Sequence, residues 1–228
     1  MKHCVIFDLD GTLYDFGTAA AAALDGASAF VERELGIPAE EARADYTRLL
    51  RQQLDEAPDS AGSHSRLIRY QRMLEERALP LRYAEPIANA YWEAFFGAAK
   101  VYPDAAPALD ALRAKGLRIG LGTNMTADWQ HRKMVRFGLI DRFDFFVTSE
   151  EAAAEKPSPR FFAMCERKAR CPAAECLFVG DNLELDVRGA LRAGMDAAWL
   201  QPDAEKRAAH PDVRSVASLS ELVPLLAP

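Results

Sequence analysis

The rhythm of apolar and polar positions changes twice along the 228-residue chain. It opens on an unbroken apolar run, Cys4-Val5-Ile6-Phe7, which ends in Asp8, Leu9, Asp10 and Gly11. A short apolar run with β-branched residues, closed by a turn signal, predicts a buried strand over 3–8. From Gly17 to about Ala99 the spacing is helical, Ala, Leu, Glu and Arg dominate, and no strand is predicted. One helix should close at Gly36-Ile37-Pro38. A second should start at Pro38, with Glu40 and Glu41 in the first turn, where the helix dipole favours them. After a polar break at Asp59–Ser63, a third is predicted over 64–78. A fourth, over 84–97, carries Ile87, Tyr91, Trp92, Phe95 and Phe96.

Past Val101 the pattern alternates. Helices are predicted over 104–115, 126–138, 157–170 and 184–193, and strands over 117–122, 143–147, 176–180 and 197–200. A last helix is expected over 218–226, with Ser218 as N-cap and Glu221 three residues on. Strands alternating with helices of this length predict an α/β fold with a doubly wound parallel sheet. An all-helical unit is inserted after the first strand. The boundaries are drawn at 1–16 with 100–228 for the sheet domain and 17–99 for the insertion.

This alternation has a consequence for chemistry. Asp8 and Asp10, Thr123-Asn124, Lys156, and Asp181 with Asp186 each lie just past a predicted strand or in the loop leading to the next helix. In a parallel sheet those strand ends share one edge, which is where open α/β sheets bind ligands. Two carboxylates spaced i, i+2 at such an edge repel one another. A hard, oxygen-seeking cation such as Mg²⁺ relieves this. A calcium-loop reading of the D-x-D start fails, because the Gly and Glu it needs are replaced by Leu13 and Ala19.

Composition narrows the function classes. Half of the residues are hydrophobic, enough for a sizeable core, and the formal charge is -6. An acidic chain of pI about 5.3 argues against an electrostatic grip on nucleic acid. No stretch approaches the ~20 apolar residues of a membrane span. Asp8 interrupts the N-terminal apolar run before a signal-peptide core can form. Cys4, Cys165, Cys171 and Cys176 form no C-x-x-C pair, which favours reduced thiols and a cytoplasmic protein.

In this order, Asp8-Leu9-Asp10-Gly11-Thr12, Thr123 after an apolar strand, Lys156-Pro157, and Gly180-Asp181 with Asp186, the motifs resemble those of the haloacid dehalogenase-like hydrolase superfamily. The likeness spans the whole chain. The helical insertion resembles that of its helical-cap phosphatases, which include nucleotidases and sugar and phosphoglycolate phosphatases. The resemblance implies a Rossmann-like core with a helical cap, and a Mg²⁺-dependent phosphomonoester hydrolase of a small metabolite, a nucleoside or sugar monophosphate. Asp8 would be the nucleophile that forms an aspartyl-phosphate. Asp10 would be the general acid and then the base; the family's dehalogenases lack this second acid. Thr123, Asn124 and Lys156 would hold the phosphoryl group. Asp8, the carbonyl oxygen of Asp10, and Asp181 would bind Mg²⁺, supported from behind by Asp186 and Asn182. For Asn182 a plain helix N-cap is the competing reading.

The insertion is less informative. His64, Arg66, Arg69 and Arg72 form a basic helical face, read as solvated, with contact to a substrate's leaving group as the sharper alternative. The aromatics Tyr14, Phe16, Tyr91, Trp92, Phe95 and Phe96 are read chiefly as core packing. Two other functions compete: a phosphomutase on the same scaffold and a non-catalytic Mg²⁺-binding interaction module. The expected partner is a small phosphorylated metabolite, with neither nucleic acid nor membrane, and the chain is expected as a monomer or homodimer.

Overall fold

The structure is a computed structural model, described here for residues 1–226. The chain divides into two compact units, one formed by Met1–Tyr14 and the chain from Val101 onward, the other by Asp15–Lys100.

The first unit is built on a six-stranded sheet, every pairing parallel, in the order β3-β2-β1-β4-β5-β6. The strands are β1 (Cys4–Phe7), β2 (Arg118–Thr123), β3 (Phe145–Thr148), β4 (Cys176–Gly180), β5 (Asp196–Leu200) and β6 (Ser215–Val216). All four residues of β1 and all five of β4 are buried, as parallel strands covered on both faces require. β1 lies at the centre, with β2 on one side and β4 on the other. The chain order reverses beside β1, so the ends of β1 and β4 flank the switch point where such sheets bind ligands. One hydrophobic cluster on the sheet gathers Ile6, Val147, Phe161, Phe162, Phe178 and Trp199.

Two glycines inside β2 make room for this packing. A Cβ on Gly120 would lie 2.2 Å from the ring of Phe145, and one on Gly122 would lie 2.9 Å from the ring of Phe178. The aromatic rings occupy the space that a side chain on β2 would fill.

The second unit is helical: α1 (Phe16–Leu35), α2 (Ala39–Glu56), α3 (Arg66–Glu76) and α4 (Ala84–Ala98). Asp15 caps α1 by accepting from the Thr18 amide, and Gly36 ends it at φ 69, a left-handed position that glycine fills without strain. The alanine-rich sequence of α1 has a packing reason. Ala19, Ala23 and Ala27 recur every four residues and are buried, and a Cβ on Gly26 would come within 2.5 Å of Ala94 on α4. Small residues therefore set a close approach of these two helices.

Several expectations need correction. The basic face of α3 is not solvated throughout: Arg66 and Arg69 are buried. They share the i, i+3, i+4, i+7 stripe with Tyr70 and Met73, so helical periodicity turns them inward. The predicted helix over 184–193 is a π-helical stretch, Leu183–Arg188, followed by the α-helix Gly189–Arg192. At the C-terminus a 3₁₀ turn, Leu219–Glu221, precedes a four-residue helix, Leu222–Leu225. Ser218 makes no capping bond there, and Glu221 accepts instead from the Ala217 amide. Strand β6 and a short helix, Ala204–Ala208, were not predicted, being too short to show a period. The remaining helices of the sheet unit are α5 (Ala105–Ala114), α6 (Ala127–Arg136), α7 (Ser149–Ala152) and α8 (Pro159–Ala169). The four cysteines are free thiols. Among the described residues no helix is long and apolar enough to cross a membrane.

The β2 packing is testable. Gly120→Ala should cost about 1–3 kcal/mol through overpacking against Phe145, and adding Phe145→Leu should recover most of that loss. Urea denaturation of the two single variants and the double variant would measure this coupling; strictly additive costs would contradict the contact.

Candidate active site

The site is built where β1 and β4 end. Asp8 follows β1 directly and stays in the ladder, its amide donating to the Val179 carbonyl at 2.8 Å. Gly180 ends β4, so Asp181 emerges on the neighbouring strand. The close approach of these two strand ends depends on two glycines. Gly11 sits at φ 90, and a Cβ there would lie 2.4 Å from the Asp181 carboxylate; one on Gly180 would lie 2.3 Å from that of Asp186.

Carboxylate oxygens of Asp8, Asp181 and Asp186 come within 4.8 Å of one another. Lys156, 34 positions beyond Gly122 in sequence, projects its ammonium among them. Its Nζ donates to Asp8 Oδ1 at 2.5 Å, to Asp186 Oδ1 at 2.7 Å and to the Gly122 carbonyl at 3.2 Å. One cation cannot offset three carboxylates. Burial, more than any other cause, pushes the Asp8 carboxyl up to about 8; Lys156 pulls it down, while Asp186, Asp181 and Asp10 add to the rise. Burial and then Asp186 push Asp181 up to about 6. Burial lowers the Lys156 ammonium, but Asp186 and Asp8 outweigh it and hold it above its ordinary range.

Thr12 ties two of these carboxylates together. Its buried hydroxyl lies 3.2 Å from Asp181 Oδ1 and 3.4 Å from Asp8 Oδ2, and it accepts from the Asp181 amide at 3.1 Å. The indole of Trp199 donates to the Asp181 carbonyl at 2.8 Å. Asp186 also accepts from the Asn182 amide at 3.0 Å. The Asn182 side chain turns away from this cluster to cap the π-helical stretch, accepting from Glu184 and Leu185.

Asp10 belongs to a separate set of partners. Lys133 Nζ donates to its two carboxylate oxygens at 2.6 and 2.9 Å, and the Tyr14 hydroxyl donates to Oδ1. Gln130 Nε2 lies 3.4 Å from Asp10 Oδ2, 2.7 Å from Thr123 Oγ1 and 2.9 Å from the Asn124 carbonyl. The two aspartates of the opening motif thus each have their own lysine, Asp8 with Lys156 and Asp10 with Lys133.

The structure gathers Asp8, Lys156, Asp181 and Asp186 directly and links Asp10 to Thr123 through Gln130. Asn124 supports the Lys156 loop: its Oδ1 accepts from the Lys156 amide at 2.9 Å, and its Nδ2 lies 3.4 Å from Glu155. Sequence reasoning did not single out Tyr14, Gln130 or Lys133 as site residues. A signal was present for two of them. Gln130, Lys133 and Met134 are the buried residues of α6, and a lysine on an apolar helical stripe needs a buried partner. Only the tertiary structure names Asp10 as that partner.

Comparison with known proteins places this geometry. A family model of haloacid dehalogenase-like hydrolases matches residues 2–194. The chain is 34% identical over 214 residues to ribulose-1,5-bisphosphate 5-phosphatase of Halopiger xanaduensis, covering 91% of this chain and 88% of that protein. It is 33% identical over 196 residues to glyceraldehyde 3-phosphate phosphatase of Methanopyrus kandleri, covering 86% and 82%. Among solved structures, a HAD phosphatase from Thermococcus onnurineus superposes with a TM-score of 0.77 at 28% identity, covering 100% of this chain and 98% of that one.

The Thr12 hydroxyl is expected to matter for folding as well as for the site. Thr12→Val leaves the Asp181 amide without its acceptor and should cost about 1–3 kcal/mol, whereas Thr12→Ser should recover most of it. Melting temperatures of the two variants measured side by side would decide; equal losses would place the effect in the methyl group instead.

Proposed function

The chain belongs to the haloacid dehalogenase-like hydrolases and is a phosphatase, and from that premise we propose that it hydrolyses phosphomonoesters of small metabolites with Mg²⁺, through an aspartyl-phosphate on Asp8. The observation that carries this reading is the unequal treatment of the two aspartates. Asp8 lies buried against Lys156 beside two further carboxylates, whereas Asp10 is held apart by Lys133 and Tyr14. Two carboxylates in such different surroundings suit two roles.

The residues fit a divalent cation. Asp8, Asp181 and Asp186 supply hard oxygen donors, and the Lys156 ammonium offsets only part of their charge. We assign Asp8, Asp181 and the carbonyl oxygen of Asp10 to Mg²⁺, with Asp186 steadying Lys156 and the Asn182 amide beside them. When bound, the metal supplies charge neutralisation for the anionic substrate and nucleophile.

The chemistry of the chain's own groups follows. A carboxylate oxygen of Asp8 attacks phosphorus, and the bond from phosphorus to the ester oxygen breaks. Asp10 in its acid form gives its proton to the departing alkoxide. Lys156, Thr123 and the backbone around Asn124 hold the phosphoryl oxygens. Asp10, now a carboxylate, takes a proton from water as that water attacks the aspartyl-phosphate, and the bond from phosphorus to Asp8 breaks. Lys133 and Tyr14 fix the direction of the Asp10 carboxyl group through its oxygens. Relatives named for ribulose bisphosphate and glyceraldehyde 3-phosphate favour a sugar phosphate over a nucleotide as substrate.

Asp8→Asn should abolish hydrolysis of p-nitrophenyl phosphate; turnover at the wild-type rate would sink the mechanism. Lys133→Met should lower kcat by about 100-fold, the lower end of a general acid–base contribution, and alter the pH–rate profile, with a smaller effect on KM. The metal assignment predicts a pH dependence. Folded, metal-free protein retains protons on Asp8 and Asp181 that the unfolded chain sheds near the ordinary value of 3.8. Its stability therefore falls as pH rises from about 4 through 6 to 8. Mg²⁺ binds only the deprotonated pair, so the rise in melting temperature at fixed Mg²⁺ should be larger at pH 8 than at pH 6. Calorimetric scans with and without Mg²⁺ would show this; an equal rise at both values would contradict the assignment.

A further inference from the structure

The helical unit has a cavity of its own. It has a volume of about 490 Å³, and its lining includes apolar Phe16, Leu24 and Leu50 together with Tyr46, His64 and Arg69. That volume lies in the range of small-molecule sites.

Arg69 is the unusual member. It is 1% exposed, and its Nη2 donates to the Ser63 carbonyl at 3.1 Å. Its Nε and Nη1 have no hydrogen-bond partner among the described residues, which leaves three N–H donors unused. Its charge lies over the ring of Tyr46, 4.7 Å from the centroid. Neighbouring Ser63 is also fully buried with an unpartnered hydroxyl. The more exposed arginines of the same unit are paired differently: Arg72 with Glu56 at 2.7 Å, Arg77 with Asp45 at 2.6 Å, and Arg48 with Glu76. The carboxylates go to the arginines that need them least.

Arginine does not shed its proton to escape this position. A buried guanidinium without a counter-charge is costly, and Arg66, which lines the same cavity, adds like-charge repulsion. An oxyanion removes both costs, because the guanidinium fork matches the oxygens of phosphate and carboxylate. The apolar residues in the lining suit a short carbon skeleton.

We infer that this cavity is an anion-binding site, in which Arg69 holds the phosphate or carboxylate group of a small organic metabolite. The site does not depend on the chemistry at Asp8. The anion has two possible sources, a second acidic group of the substrate itself or a separate effector, and experiment separates them.

Full-length protein with Mg²⁺ would be titrated calorimetrically with inorganic phosphate. Wild type should bind one phosphate per chain more than Arg69→Met, and Arg69→Lys should bind that phosphate at least tenfold more weakly than wild type. Without ligand, Arg69→Met should melt a few degrees higher than wild type, as expected when a charge held for binding is removed. Equal stoichiometry and affinity in all three proteins would overturn the inference, as would a ligand-free Arg69→Met that melts lower and still binds phosphate as wild type does. The source is read from turnover of a five-carbon sugar bisphosphate and its monophosphate. A kcat/KM preference for the bisphosphate that falls toward one in Arg69→Met identifies the substrate's own phosphate. An unchanged ratio with the extra phosphate site lost identifies an effector. Both support an anion site at Arg69.

Discussion

The ammonium of Lys156 between Asp8 and Asp186 is the contact on which the rest of the site depends. It joins the loop before α8 to the end of β1 and to the π-helical stretch after β4. Without it, three carboxylates would share a buried space at the switch point of the sheet. With it the site remains short of positive charge, a shortfall that the proposed metal ion would relieve. Burial, and after it the neighbouring carboxylates, raises the carboxyls of Asp8 and Asp181.

Much of the surrounding sheet reads as provision for bringing these groups together. Gly11 and Gly180 leave no Cβ where the carboxylates of Asp181 and Asp186 lie. Thr12 uses one hydroxyl to bridge the ends of β1 and β4. On the far side of the opening motif, Lys133 and Tyr14 hold Asp10 in a set of hydrogen bonds distinct from that of Asp8, although only one residue lies between them. The environment divides a repeated residue type into two chemical species, and α6 supplies the means.

The helical unit shows the opposite economy. Arg43, Arg48, Arg72 and Arg77 on its surface are matched with carboxylates, while no carboxylate is paired with the buried Arg69 among the described residues. Burial of a charge without a partner is costly, so it calls for an explanation outside the hydrophobic packing of Tyr46, Tyr70 and Tyr91 around it. An anionic ligand supplies one.

The α/β class, the parallel sheet and the helical insertion were legible in the sequence because periodicity reports which faces are buried, and long elements repeat the period often enough to be read. Asp8, Asp10, Thr123, Lys156 and Asp181 were legible for a related reason: each follows a strand, and a parallel sheet delivers all such positions to one edge. Short elements such as β6 and the C-terminal turns were not, since two to four residues carry no period. Nor was the inward turn of Arg66 and Arg69, because a basic residue on a helix is read as solvated until its stripe is seen to be shared with Tyr70 and Met73. Asn124 was read as a holder of the phosphoryl group and Asn182 as support behind the metal or a helix N-cap, and in the structure both side chains accept from backbone amides. Lys133 is the clearest case of what only tertiary structure decided. Its burial could be suspected from the helix it lies on, but its partner is 123 positions away in the chain, and side-chain pairing over that distance is set by how the elements pack, which no local pattern encodes.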